Sequence, residues 1–142
     1  MARLRQRYAN ALLEISTEKE TLEKDLEQIV LIRDLLSQKE VKAFLTHPHI
    51  PNQAKYQLFQ KAFSDVISHH IMAFLYLCVR KNRELLIVPA LNEYISKANS
   101  LLGRVEARIV SSKELSQKQI ESVRNILTDK LNKQVEVEAG TD

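Results

Sequence analysis

Apolar residues recur along this chain at the spacing of a helix face, in blocks that predict separate helices. From Ala2 to Ile15, Leu4, Tyr8, Ala11, Leu12 and Ile15 stand 4, 3, 1 and 3 residues apart, which marks one side of a first helix. Thr17-Glu18-Lys19-Glu20 reads as a capping box, with a hydroxyl for an orphan amide and a glutamate reaching back. A second helix is therefore expected from there to about Ser37, burying Leu22, Leu26, Ile29, Val30 and Leu36. Ser37-Gln38-Lys39-Glu40 repeats the pattern before a short third helix carrying Val41, Phe44 and Leu45. His47-Pro48-His49-Ile50-Pro51 ends it, because proline lacks an amide and turns its predecessor away from helix. Pro51 suits the first turn of a fourth helix, whose inner face is Ala54, Leu58, Phe59, Ala62 and Phe63. Ser68 suits the cap of a fifth. Its stripe is Ile71, Phe74, Leu75, Cys78 and Val79, while Met72, Tyr76 and Leu77 spill onto other sides. A helix apolar nearly all round must be covered on more than one face, so this one is expected at the centre. A sixth helix is expected from near Pro89, with Leu91, Tyr94, Ile95, Ala98, Leu101 and Leu102 inward and Gly103 as its C-cap.

After Gly103 the period changes. Residues 104–110 alternate and predict a strand with Val105, Ala107 and Ile109 on one face. Ser116-Gln117-Lys118-Gln119 is a third capping box, opening a helix with Ile120, Val123, Leu127 and Leu131 on one side, and Gln134-Val135-Glu136-Val137-Glu138 alternates again. The expected fold is mainly α: a six-helix bundle over 1–103, then an incomplete strand-helix-strand α/β module over 104–142. Two short strands and a helix bury little apolar area, so the rest of that module is expected to be missing or supplied elsewhere.

Composition narrows the function classes. With two glycines and three prolines in 142 residues, a turn-rich sandwich or barrel is disfavoured. The formal charge of +3 comes from interleaved signs, and the densest basic stretch is Val79-Arg80-Lys81-Asn82-Arg83. A nucleic-acid binder concentrates its cations on one face or tail, so a small basic nucleic-acid-binding or regulatory protein is the second reading. No stretch of about 18 uncharged apolar residues exists to span a bilayer. The N-terminus lacks a signal-peptide core, and Arg3, Arg5 and Arg7, faintly like a transit peptide, fit the first helix equally well.

Catalytic and cofactor chemistry finds no foothold. Phosphate loops and dinucleotide turns need clustered glycines, and these stand at 103 and 140. His47 and His49 flank a proline, and His69 and His70 are adjacent, pointing about 100° apart on a helix; neither pair has chelating spacing. Cys78 is alone, which excludes an internal disulfide, and it lies on the apolar stripe of the fifth helix as a buried hydrophobe. No catalytic residue, cofactor or metal is expected.

Several segments resemble one family. Arg7-Tyr8-Ala9-Asn10-Ala11-Leu12 resembles the first helix of the F-type ATP synthase delta subunit family, which includes the oligomycin-sensitivity-conferring protein. Phe74-Leu75, Cys78-Val79 and Asn82-Arg83, followed by Leu86 and Pro89, resemble its fifth helix and the turn after it. Val105, Ala107, Ile109 and Ser111, then Glu114-Leu115-Ser116 and Gln119, resemble its strand and the next helix. The family's strongest signature begins near Val135-Glu136-Val137 and continues to a glycine pair beyond Asp142, so the chain reads as truncated at its C-terminus.

The resemblance implies a non-catalytic stator subunit, one copy per complex, peripheral on the cytoplasmic face of a bacterial membrane. It implies a bundle that grips the N-terminal helix of the alpha subunit and a C-terminal module that meets the end of subunit b. The residues agree at one point: the fifth helix has more apolar surface than one core face absorbs, and the first sets Ala9 and Ala11 beside Tyr8. A groove between them would take a partner helix. Tyr8, Leu12, Phe74, Leu75, Cys78 and Val79 are the expected groove positions, and the same six also suit a plain core.

Overall fold

The computed structural model describes residues 2–103 and 116–140, with side chains described for 3–103 and 116–130. Among them every regular element is a helix: α1 (Ala2–Glu18), α2 (Leu22–Leu36), α3 (Lys39–Thr46), α4 (Asn52–Phe63), α5 (His69–Arg80), α6 (Glu84–Leu102) and α7 (Gln117–Gly140). The axis of the bundle is α6 rather than α5. It packs on α1, α2, α3 and α5, and its fully buried Ala90 and Ala98 let neighbouring backbones approach closely. α4 joins through α5, and α7 lies across α4 and α3.

Burial follows the expected stripes in α3, α4 and α5, where Val41, Phe44, Leu45, Ala54, Leu58, Phe59, Ala62, Phe63, Ile71, Leu75, Cys78 and Val79 are all enclosed. In α1 the buried side is turned from the expected one. Ala9, Leu12, Leu13 and Ser16 face inward, whereas Leu4, Tyr8 and Ile15 stay half-buried and Ala11 is exposed. Leu101 of α6, also expected inside, is 66% exposed.

Helix starts differ for local reasons. The Thr17 box does not form: Thr17 lies in the last turn of α1 and its Oγ1 donates to the Leu13 carbonyl at 2.8 Å. Glu20 then takes a left-handed φ of 58° to turn the chain into α2. Ser37 likewise donates back to the Arg33 carbonyl at 2.6 Å, and Gln38 holds the N-cap position of α3. The third box does form, with Ser116 N–H donating to Gln119 Oε1 at 3.0 Å and Gln119 N–H donating to Ser116 Oγ at 3.2 Å. α6 starts at Glu84, so Pro89 sits inside it. Gly103, in the left-handed conformation at φ 67°, ends it as expected.

The expected strand at 104–110 lies outside the described residues. The expected strand at Gln134–Glu138 is instead part of α7. Alternation in only five residues is a weak signal on its own. With no glycine or proline between Gln117 and Ala139, the helix continues and satisfies its own backbone. Val123 and Leu127 of α7 enter the same core cluster as the bundle, and Gln119 Nε2 donates to the Ala62 carbonyl at the end of α4 at 3.0 Å.

Candidate partner-binding surface

The flank shared by α1 and α5 is held at both ends by polar contacts that local sequence pattern did not reveal. At one end, Asp25 of α2 is fully buried. Its Oδ2 accepts from Ser16 Oγ at 2.7 Å, Thr21 Oγ1 at 2.9 Å and His70 Nε2 at 2.7 Å. Ser16 spends its one proton on that carboxylate, so the Tyr94 hydroxyl, 2.7 Å away, donates to Ser16 Oγ. Ser68 adds its Oγ to Asp25 Oδ1 at 3.4 Å and its N–H to Gln28 Oε1 at 2.7 Å. One carboxylate thus ties the end of α1, the start of α2, the start of α5 and the middle of α6. Burial also pushes the Tyr94 hydroxyl well above its ordinary pKa, against the lowering effect of Ser16.

At the other end, Arg83 Nη1 donates to the Tyr8 hydroxyl, and the guanidinium lies 5.8 Å from the Tyr8 ring centre. The Tyr8 ring meets Phe74 edge-on, with centroids 5.9 Å apart and planes at 80°. Both α1 and α5 lean on α6, and Tyr8–Phe74 is the aromatic contact that bridges them.

The six expected groove positions divide. Leu75, Cys78 and Val79 are 0% exposed and Leu12 3%, so these four belong to the core and present no open face. Phe74 is 8% exposed and Tyr8 half-buried, at the seam itself. Accessible apolar atoms remain on residues beside these six, among them Ala11, which the sequence already set next to Tyr8 at the groove. On α1 these are Leu4, Ala11 and Ile15, which with Tyr8 recur 4, 3 and 4 residues apart; on α5 they are Met72, Ala73, Tyr76 and Leu77, the last three lining a shallow hollow with Tyr56 of α4. The signal was present in α1, whose apolar stripe is wider than its buried side.

The remaining candidates resolve simply. His47 and His49 face each other in the turn after α3 with ring centres 5.7 Å apart. His69 is exposed and His70 belongs to the Asp25 cluster. Among the described residues no three His, Cys, Asp or Glu side chains gather as metal ligands. Burial pushes the Cys78 thiol up to about 12, outweighing the nearby Arg83. No helix among the described residues is long and apolar enough to cross a membrane.

Comparison with known proteins points in one direction. The profile of the family described as "ATP synthase delta (OSCP) subunit" matches residues 4–142. The chain is 34% identical over 120 residues to an ATP synthase subunit delta of Halothermothrix orenii, covering 84% of this chain and 63% of that protein. A subunit delta of Desulforamulus reducens is 31% identical over 137 residues, covering 96% of this chain and 76% of its own length. A chloroplastic subunit delta of Porphyra purpurea is 31% identical over 132 residues, 92% of this chain and 69% of its own. The chain thus spans less than two thirds of the Halothermothrix relative. No solved structure gives a significant match.

Proposed function

The chain belongs to the ATP synthase delta (OSCP) subunit family, and from that premise we propose that it is a non-catalytic stator element of a proton-translocating ATP synthase. In this reading the bundle of residues 1–103 holds the N-terminal helix of the alpha subunit. Residues 104–142 begin a second module that meets the end of subunit b, and the chain sits peripherally on the cytoplasmic face of the membrane. A rotary motor needs such a tether, because without it the catalytic head turns with the rotor and proton flow does no chemical work.

The observation that carries the reading is that α1 and α5, joined by the Tyr8–Phe74 contact, each keep accessible apolar side chains. Among these, Leu4, Ala11 and Ile15 on α1 and Ala73 and Leu77 on α5 are read as the two sides of one strip. Small residues at Ala11 and Ala73 leave room for an approaching backbone, and larger ones supply rims. An amphipathic helix recognised through anchors three and four residues apart fits such a strip. Leu12, Leu75, Cys78 and Val79 then form the floor under it rather than the contact surface.

Titration calorimetry with a peptide copying the alpha N-terminus tests this on the full chain. Binding with micromolar or tighter Kd, lost in Phe74→Asp while the helical circular dichroism persists, is the expected result. Unchanged binding by a folded Phe74→Asp variant would remove the α1–α5 strip from consideration.

A further inference from the structure

A second surface feature lies where α2 ends, α3 runs and α6 begins. A cleft of about 220 Å³ opens there, lined on its apolar side by Leu36, Leu45, Leu85, Ile87, Val88 and Pro89. Leu85 at its lip is 69% exposed, the most exposed large apolar side chain among the described residues. Pro89 has no N–H, so the Leu85 carbonyl lacks the usual helical donor four residues on.

Size decides what such a cleft takes. Ligand pockets run from about 300 to 1,000 Å³, whereas an apolar cavity of about 150 Å³ accepts a single benzene. This cleft therefore suits one large aliphatic or aromatic side chain and is too small for a cofactor.

Charge decides what stands beside that side chain. Two charged residues line the cleft, Lys42 and Glu84. Glu84 is already neutralised by Lys55, whose Nζ lies 2.6 Å from Glu84 Oε2 with both side chains nearly enclosed. Lys42 is exposed and meets no carboxylate among the described residues. The mouth is thus cationic over an apolar interior.

We propose that the cleft between α2–α3 and the first turns of α6 is a socket for one apolar anchor residue of a protein partner, with a carboxylate beside that anchor pairing with Lys42. The socket is separate from the α1–α5 strip and does not depend on how that strip is used.

The test is a ¹⁵N-HSQC titration of the full chain with two probes, N-acetyl-L-leucine and the uncharged N-acetyl-L-leucinamide. Saturable shifts at the amides of Lys42, Leu45, Ile87 and Val88 are expected with both, the carboxylate probe binding severalfold tighter. Lys42→Gln should erase that difference, and Leu85→Glu should weaken the acid more than the amide; both side chains are exposed, so the fold is retained. Absence of saturable shifts at these amides, equal affinity for the two probes, or indifference of the preference to Lys42→Gln would each overturn the proposal.

Discussion

Asp25 and His70 lie 45 residues apart in sequence and 2.7 Å apart in space, the carboxylate sealed from solvent and the imidazole near the surface. The contact fixes the first turn of α5 against the first turn of α2, and Ser16 brings the end of α1 to the same oxygen. The relative setting of α1 and α5 is anchored on one buried carboxylate.

Removing that acceptor should therefore cost more than a surface change. Asp25→Ala leaves Ser16, Thr21 and His70 without their shared partner, and loss of a buried, hydrogen-bonded charge destabilises by about 3 kcal/mol. Asp25→Asn retains one acceptor oxygen and should lose less. Urea unfolding of both variants checks the order; a loss within about 0.5 kcal/mol for Asp25→Ala, the ordinary surface range, would show that the cluster holds nothing together.

The Lys55–Glu84 pair makes a second stability prediction. It joins α4 to the first turn of α6 at 2.6 Å, with side-chain exposures of 6% and 10%. Lys55→Met strands a nearly enclosed carboxylate and should destabilise by roughly 3 kcal/mol, whereas Lys55→Met combined with Glu84→Leu should recover most of it. A double-mutant cycle in urea measures the coupling. Additive single effects would show that the pair is not coupled.

How far these features could be read from sequence depends on the distance over which each is decided. Gly103 as a C-cap, the proline break after α3 and the inner face of α4 are settled within one or two turns, and all three stand in the structure as expected. The hydroxyls of Thr17 and Ser37 illustrate a local ambiguity. Each can cap the next helix or bond back into the preceding one, and here both bond back, to Leu13 and Arg33. Ser116 forms its box. Asp25 was invisible because an acid on an amphipathic helix reads as solvated until His70 and Ser16 are brought to it from elsewhere in the chain. The α1–α5 surface was half legible: Tyr8 and Phe74 meet, but the apolar count in α5 could not say which residues neighbouring helices cover.

Cys78 gives a prediction with a definite pH window. Its thiol is raised from 9.0 to about 12 by burial, so at pH 8 the folded protein should resist iodoacetamide, and labelling should track unfolding. The linkage follows from the same direction. Below pH 9 both folded and unfolded chains keep the proton. Between 9 and 12 the unfolded chain releases it and the folded chain does not, so stability falls with rising pH by about 1.4 kcal/mol per unit for such a group. Tyr94, also raised, adds to the loss at the alkaline end. Denaturant midpoints at pH 8, 9 and 10 check the slope. Rapid labelling of folded protein at pH 8 would contradict the enclosure of Cys78.

The division of the six groove positions yields the most discriminating prediction. Leu77 is half-buried on the flank of α5, and Leu75, two residues before it, is fully enclosed. Leu77→Glu should lower affinity for the alpha-subunit peptide at least tenfold with little change in Tm, since its side chain borders the strip. Leu75→Ala should cost about 2–5 kcal/mol of stability by opening a cavity, with affinity nearly unchanged wherever the protein stays folded. Paired calorimetry and thermal melts on both variants separate rim from floor. If Leu75→Ala weakened binding more than Leu77→Glu in folded protein, a partner helix would have to reach below the surface seen here, and the bundle would have to open to admit it.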